Sequence, residues 1–146
     1  MIQQFDLRTS QITKVPGSEG LWWPTVSSDG RFICAETAKG ALRLVLFDFE
    51  TQKWVEKREV NSSGWVGSYW GEWSPKGDAY YLLESGPGGE RTISRARAND
   101  FKFEKVASFP DLRLADFTMA LSPDDSPLLL RDLGTQDIYA LDWEAP

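Results

Sequence analysis

One short pattern occurs three times at almost constant spacing, and a chain built that way is committed to a repeat architecture. It reads Val26-Ser27-Ser28-Asp29-Gly30-Arg31-Phe32-Ile33, then Trp73-Ser74-Pro75-Lys76-Gly77-Asp78-Ala79-Tyr80, then Leu121-Ser122-Pro123-Asp124-Asp125-Ser126-Pro127-Leu128. The central serines are 47 and 48 residues apart. A second element is interleaved with the first. Phe5 to Val15 (FDLRTSQITKV) matches Phe47 to Lys57 (FDFETQKWVEK) position for position, Ala96 to Val106 is a weaker copy, and a fourth begins at Leu141-Asp142-Trp143-Glu144.

Each copy of the second element is an apolar run, a polar turn and another run, which is the pattern of a hairpin. Joined to the serine turn, one unit reads as four antiparallel strands. The inner strand ends at the serine. The second covers Phe32–Glu36, Tyr80–Glu84 or Leu128–Arg131, and the third Leu42–Asp48, Thr92–Ala98 or Ile138–Trp143. The outermost lies near Ile12–Val15, Trp54–Val60 or Phe103–Phe109. A period in the forties with four short strands per unit predicts an all-β chain of β-propeller blades. The turn chemistry agrees: proline at 75 and 123 presets φ, and Gly30 and Gly77 accept a positive φ. Asp125 stands where the other copies have glycine, so the third turn is expected to hold a non-glycine residue in the left-handed region, with some strain.

These residues resemble a family. The turn Trp73-Ser74-Pro75-Lys76-Gly77, followed by an aliphatic strand and by Ile138-Tyr139-Ala140-Leu141-Asp142, is similar to the TolB-type, WD-repeat-like propeller repeat. Departures are Ser28 for proline, Lys76 for aspartate, and Val26 and Leu121 for tryptophan. The closing run from Leu121 to Trp143 resembles the C-terminal end of such propellers in acidobacterial proteins. That resemblance implies a parent carrying a winged-helix DNA-binding domain, and sometimes a kinase domain, ahead of the propeller.

The strand count divides the chain into 1–18, the two outer strands of a split blade; 19–62 and 63–110, two full blades; and 111–146, an incomplete blade. About three four-stranded blades make only a partial ring, since natural propellers usually close with roughly four to eight. Unpaired blade edges promote association. Two readings stay open: a piece of a longer propeller, or a self-associating unit in which a homodimer completes the ring. In the second reading Ile2–Leu7 and Ile138–Trp143 duplicate one another, so one of them is displaced.

Charge and composition narrow the function. The net charge of −6 sits entirely in residues 110–146, which hold eight acidic and two basic side chains. Asp111, Asp116, Asp124, Asp125, Asp132 and Asp137 are expected in loops, as an acidic rim. Such a module repels phosphate backbones, so nucleic-acid binding by this chain is not expected. No run of apolar residues is long enough for a membrane span, and Met1 to Asp6 lacks the basic start and apolar core of a leader peptide. The single cysteine, Cys34, reads as a small buried hydrophobe.

The chain contains no histidine, which removes Ser-His-Asp and Cys-His sites and any histidine-ligated metal. It has no G-x-S-x-G elbow, and Gly86-Pro87-Gly88-Gly89 reads as a hairpin connection and not as a phosphate loop. No enzyme activity, cofactor or metal is expected. Aromatic side chains are the functional lead: Trp22 and Trp23 precede the first serine turn, and Trp65, Tyr69, Trp70 and Trp73 precede the second. Connections entering inner strands lie on one propeller face, where exposed tryptophans anchor partners. Trp22, Trp23, Trp65, Tyr69 and Trp70 are therefore the candidate binding residues. Val26, Trp73 and Leu121, which share one repeat position, are expected in the core between blades. The reading is a non-enzymatic propeller module for protein interaction or ligand sensing, its partner a protein or peptide. Alternatives are a self-associating fragment without a separate ligand, the non-catalytic propeller of a peptidase, and a lectin-like carbohydrate binder.

Overall fold

A computed structural model describes residues 1–37, 43–59, 69–86 and 88–134. The described elements are all strands: β1 (Gln3–Phe5), β2 (Ile12–Lys14), β3 (Leu21–Val26), β4 (Phe32–Thr37), β5 (Arg43–Asp48), β6 (Lys53–Glu59), β7 (Tyr69–Trp73), β8 (Ala79–Ser85), β9 (Arg91–Arg97), β10 (Phe103–Phe109), β11 (Leu114–Leu121) and β12 (Pro127–Arg131). Every described pairing is antiparallel. β3-β4-β5-β6 and β7-β8-β9-β10 are four-stranded sheets in sequence order, and β1-β2 and β11-β12 are two-stranded sheets. The chain is a partial β-propeller: among the described residues, two four-stranded blades are flanked by two two-stranded half-blades. The expected third strand of the last blade, Ile138–Trp143, lies outside the described residues, as do Trp65 and Asp137.

The repeated serine has a local physical reason. Ser27 Oγ accepts from the Phe32 amide at 2.8 Å and donates to Asp29 Oδ1 at 2.6 Å, while the Ser27 amide donates to the Phe32 carbonyl. Ser74 makes the equivalent bonds with Ala79 and Asp78. Ser122 does the same with Ser126 and Asp124, in a turn one residue shorter. The hydroxyl thus satisfies backbone groups that the tight turn would otherwise leave unpaired. Gly30 and Gly77 adopt φ of +75° and +78°, and Asp125 takes +67°, as the third turn's sequence requires.

Blades stack because β4, β5 and β8 are buried and largely apolar on both faces, which is why they read as near-continuous apolar runs and not as alternation. In the first full blade Phe32 and Cys34, with Leu44 and Leu46, face forward onto Trp73, Tyr80 and Leu82 of the second. Ile33, Ala35, Val45 and Phe47 face back onto Ile2 and Val15 of the N-terminal half-blade. The second blade repeats this, sending Ala79, Tyr81, Leu83 and Ile93 forward onto Met119, with Leu121 and Leu129 packed around them. Polar contacts fix the seams: Trp73 Nε1 donates to the Thr25 carbonyl at 3.2 Å, Ser28 Oγ to the Ser74 carbonyl at 2.9 Å, and Trp54 Nε1 to the Pro16 carbonyl at 2.7 Å. Cys34 is fully buried in the first seam, and burial pushes its thiol far above its ordinary value.

Two sequence expectations need correction. Val26 is not core: it is 56% exposed, whereas Trp73 at the same repeat position is 6% exposed. The residue at this position points back toward the preceding blade, and the half-blade before Val26 has no inner strands to receive it. Asp116 is not in a loop but within β11, in the irregular stretch where the β11–β12 register shifts between Leu114 and Met119.

Candidate binding face

The aromatic candidates lie in the inner strands themselves rather than in the connections that lead into them, Trp22 and Trp23 in β3 and Tyr69 and Trp70 in β7. They sit at the end of these strands away from the serine turns. Local backbone irregularity then decides which of them reach solvent. β3 pairs Trp22 with Glu36 but Thr25 with Cys34, so it carries one extra residue relative to β4. Trp23 falls in this bulge with φ of +48°. A bulge re-aims a side chain that a regular strand would turn into the seam. Trp22 and Trp23 are 43% and 59% exposed, with ring centroids 6.3 Å apart and planes at 74°, an edge-to-face pair.

β7 has no such shift against β8, and its aromatics turn into the seams. Tyr69 packs against the first seam and donates its hydroxyl to Glu36 Oε2 at 2.6 Å. Trp70 packs against the second seam, with its indole N–H buried and without a partner among the described residues. The structure therefore brings Trp22 and Trp23 together on the surface and draws Tyr69 and Trp70 between blades.

Sequence reading missed Glu36. It is a buried carboxylate facing the next blade, 33 residues from its partner Tyr69, and no local pattern marks it. Burial raises its pKa from 4.5, partly offset by the Tyr69 hydroxyl. The folded chain thus keeps a proton that the unfolded chain releases. The stability contributed by Glu36 is complete below its ordinary value and is lost as pH rises through the raised folded value. In urea unfolding carried from below 4.5 to neutral pH, Glu36→Gln is expected to gain on the natural chain as pH rises. A difference independent of pH would contradict the assignment.

A concavity lies between the serine turns. It has a volume of about 490 Å³ and is lined by Asp29, Arg31, Asp78, Arg95, Arg97 and Asn99 among others. Two of its cations are engaged by carboxylates, Arg31 by Asp48 and Glu50 and Arg95 by Glu104, and Asp29 and Asp78 accept from the Ser27 and Ser74 hydroxyls. Among the described residues no helix is long and apolar enough to cross a membrane.

No family model matches the sequence, and no curated protein matches it. A solved structure of a protein described as TolB, from Agrobacterium tumefaciens, aligns over 88% of this chain with a TM-score of 0.53 at 15% identity. The chain spans about half of that protein, 48% of its length. At this identity the likeness concerns the fold, and the chain's fold is accordingly that of a TolB-like β-propeller, spanned in part.

Proposed function

We propose that this chain is a non-enzymatic propeller module that binds a protein or peptide partner, with Trp22 and Trp23 as its anchors. The observation that supports this most is the exposed indole pair, raised from the first full blade by a bulge. Large, rigid aromatic side chains contribute contact area at low entropic cost and dominate interface energetics. The lack of histidine in the whole sequence supports a role without catalysis. The resemblance to propellers that follow a winged-helix domain suits an input or scaffold half of a longer regulator.

The test is peptide display on the purified chain, followed by titration of selected peptides against Trp22→Ala and Trp23→Ala. Loss of an anchor is expected to weaken binding by about 30-fold, the equivalent of a 2 kcal/mol hot spot. Peptides that bind both variants as tightly as the natural chain would overturn the assignment. Glycans retained on an array by the natural chain and lost with Trp22→Ala would move it to carbohydrate recognition.

A further inference from the structure

We propose that a second copy of this chain completes the ring, β11 and β12 of one copy forming a single four-stranded blade with β1 and β2 of the other. The proposal rests on the propeller-module reading and names one partner for it. Its starting point is a complementarity of halves. β1 and β2 hold the third and outer places of a blade, because Ile2 and Val15 pack on the back of the first full blade and β1–β2 repeats the sequence of β5–β6. β11 and β12 hold the inner and second places, because they follow the repeat of β7–β8 around the Ser122 turn. Joined, they give the order β11-β12-β1-β2, the same as in both full blades.

The hydrogen-bonding edges agree. On β1, Ile2 accepts from the Val15 amide and Asp6 donates to the Gln11 carbonyl, so these residues turn toward β2. Antiparallel alternation then leaves the N–H and C=O of Gln3 and Phe5 on the open edge. On β12, the Ser126 carbonyl turns toward Ser122, which by the same alternation places Pro127 and Leu129 on the edge that no other described strand occupies. Carrying over the β4–β5 pairings Ile33↔Phe47, Cys34↔Leu46 and Ala35↔Val45 sets Pro127 opposite Phe5, Leu128 opposite Gln4 and Leu129 opposite Gln3. The residues brought opposite one another as hydrogen-bonded pairs are those whose edges are open. Pro127, which has no N–H, costs this ladder one bond.

The side chains agree as well. Phe5, Ile12, Val26, Leu128 and Leu130 are each between 53% and 62% exposed. In the completed blade Phe5 and Ile12 occupy the places of Phe47 and Trp54, which pack with ring centroids 5.0 Å apart, and they would cover the second seam of the copy that supplies β11 and β12. Leu128 and Leu130 face the other way, into an open notch of about 410 Å³ lined by Ile2, Val15, Val26, Ile33 and Phe49 among others. Five exposed apolar side chains thus gain seam positions from one operation, and the seams between blades continue across the copies. The operation is reciprocal, as a two-fold interface requires. Two full blades from each copy and two shared ones make six, within the usual roughly four to eight. Ile138–Trp143, to which the sequence repeat assigns the same third place, lies outside the described residues, and in the proposed ring that place goes to β1 of the second copy.

The test is absolute mass by light scattering over a concentration series, with far-UV circular dichroism of every sample. The natural chain is expected at twice its mass. Leu130→Asp, a charge placed at a position exposed in the single chain, is expected at one mass with an unchanged β spectrum. Val106→Asp, on the outer strand β10, is expected to remain at twice the mass. Gln4→Cys combined with Leu128→Cys places two exposed thiols at a non-hydrogen-bonded pair, about 4.5 Å between Cα atoms, within disulfide reach. Oxidation is expected to yield a covalent dimer, and Cys34 is too deeply buried to interfere. A natural chain at one mass throughout, mass that grows without limit, a dimeric Leu130→Asp or no covalent dimer would each overturn the proposal. Peptide titration on the Leu130→Asp monomer keeps the binding-module reading separately testable.

Discussion

Replacing Trp73 with alanine is expected to cost about 3–5 kcal/mol of stability, the range for a buried aromatic in a close-packed interior. The indole is the keystone of the first seam. It stacks on Phe32 at 6.2 Å between centroids and 16° between planes, and meets Tyr80 edge-on at 5.2 Å. Its N–H ties the second blade to the Thr25 carbonyl of the first. Alanine would leave a cavity between two sheets whose backbones are each fixed by their own ladders, so little collapse can fill it. Urea unfolding with an unchanged denaturant slope measures the effect. A loss below about 1 kcal/mol would mean that the blades do not depend on this seam, since surface-like substitutions stay within about half that.

The second large effect is steric. At Gly71, an added Cβ would lie 1.8 Å from the Tyr80 hydroxyl oxygen and 2.5 Å from the ring carbon that bears it. A flexible surface side chain would swing away, but Tyr80 is buried between Trp73 at 5.2 Å and Phe101 at 6.2 Å. Gly71→Ala is therefore expected to cost about 2–3 kcal/mol, toward the upper end for overpacking. In a Tyr80→Ala background, where the obstructing ring is gone, the same change is expected to cost little. That dependence of one substitution on the other is the mark of direct contact. Equal cost in both backgrounds would place the origin of the effect elsewhere.

What was legible in the sequence is what local chemistry determines. The serine turns were readable because one hydroxyl, one or two residues of turn-former and the strand that follows are adjacent in the chain. Asp125 was readable for the same reason, and its φ of +67° is the expected left-handed conformation. Strands β4, β5 and β8 were readable because burial on both faces makes them near-continuous apolar runs, whereas β9, with three arginines, was readable only from its place in the repeat. Val26 was misread because its repeat position is a core position only when a preceding inner strand exists. The bulge that exposes Trp22 and Trp23 is a one-residue slip in pairing, and pairing between separate strands leaves no mark in either strand alone. Tyr69 and Glu36 are joined across a seam, so neither announces the other. Repetition gave the architecture, while the binding face arises where one blade departs from the repeat.

Blades pack in sequence order through three seams, one on each side of the second full blade and one against the N-terminal half-blade, and through-space proton contacts in the isotopically labelled chain test this packing most directly. The predicted result is a set of cross-peaks from the Trp73 indole to the Phe32 ring across the first seam, together with peaks from the Met119 methyl into the cluster of Leu83 and Ile93 across the second. Absence of both sets, with the Trp73 fluorescence quenched by solvent acrylamide as readily as that of Trp23, would contradict it.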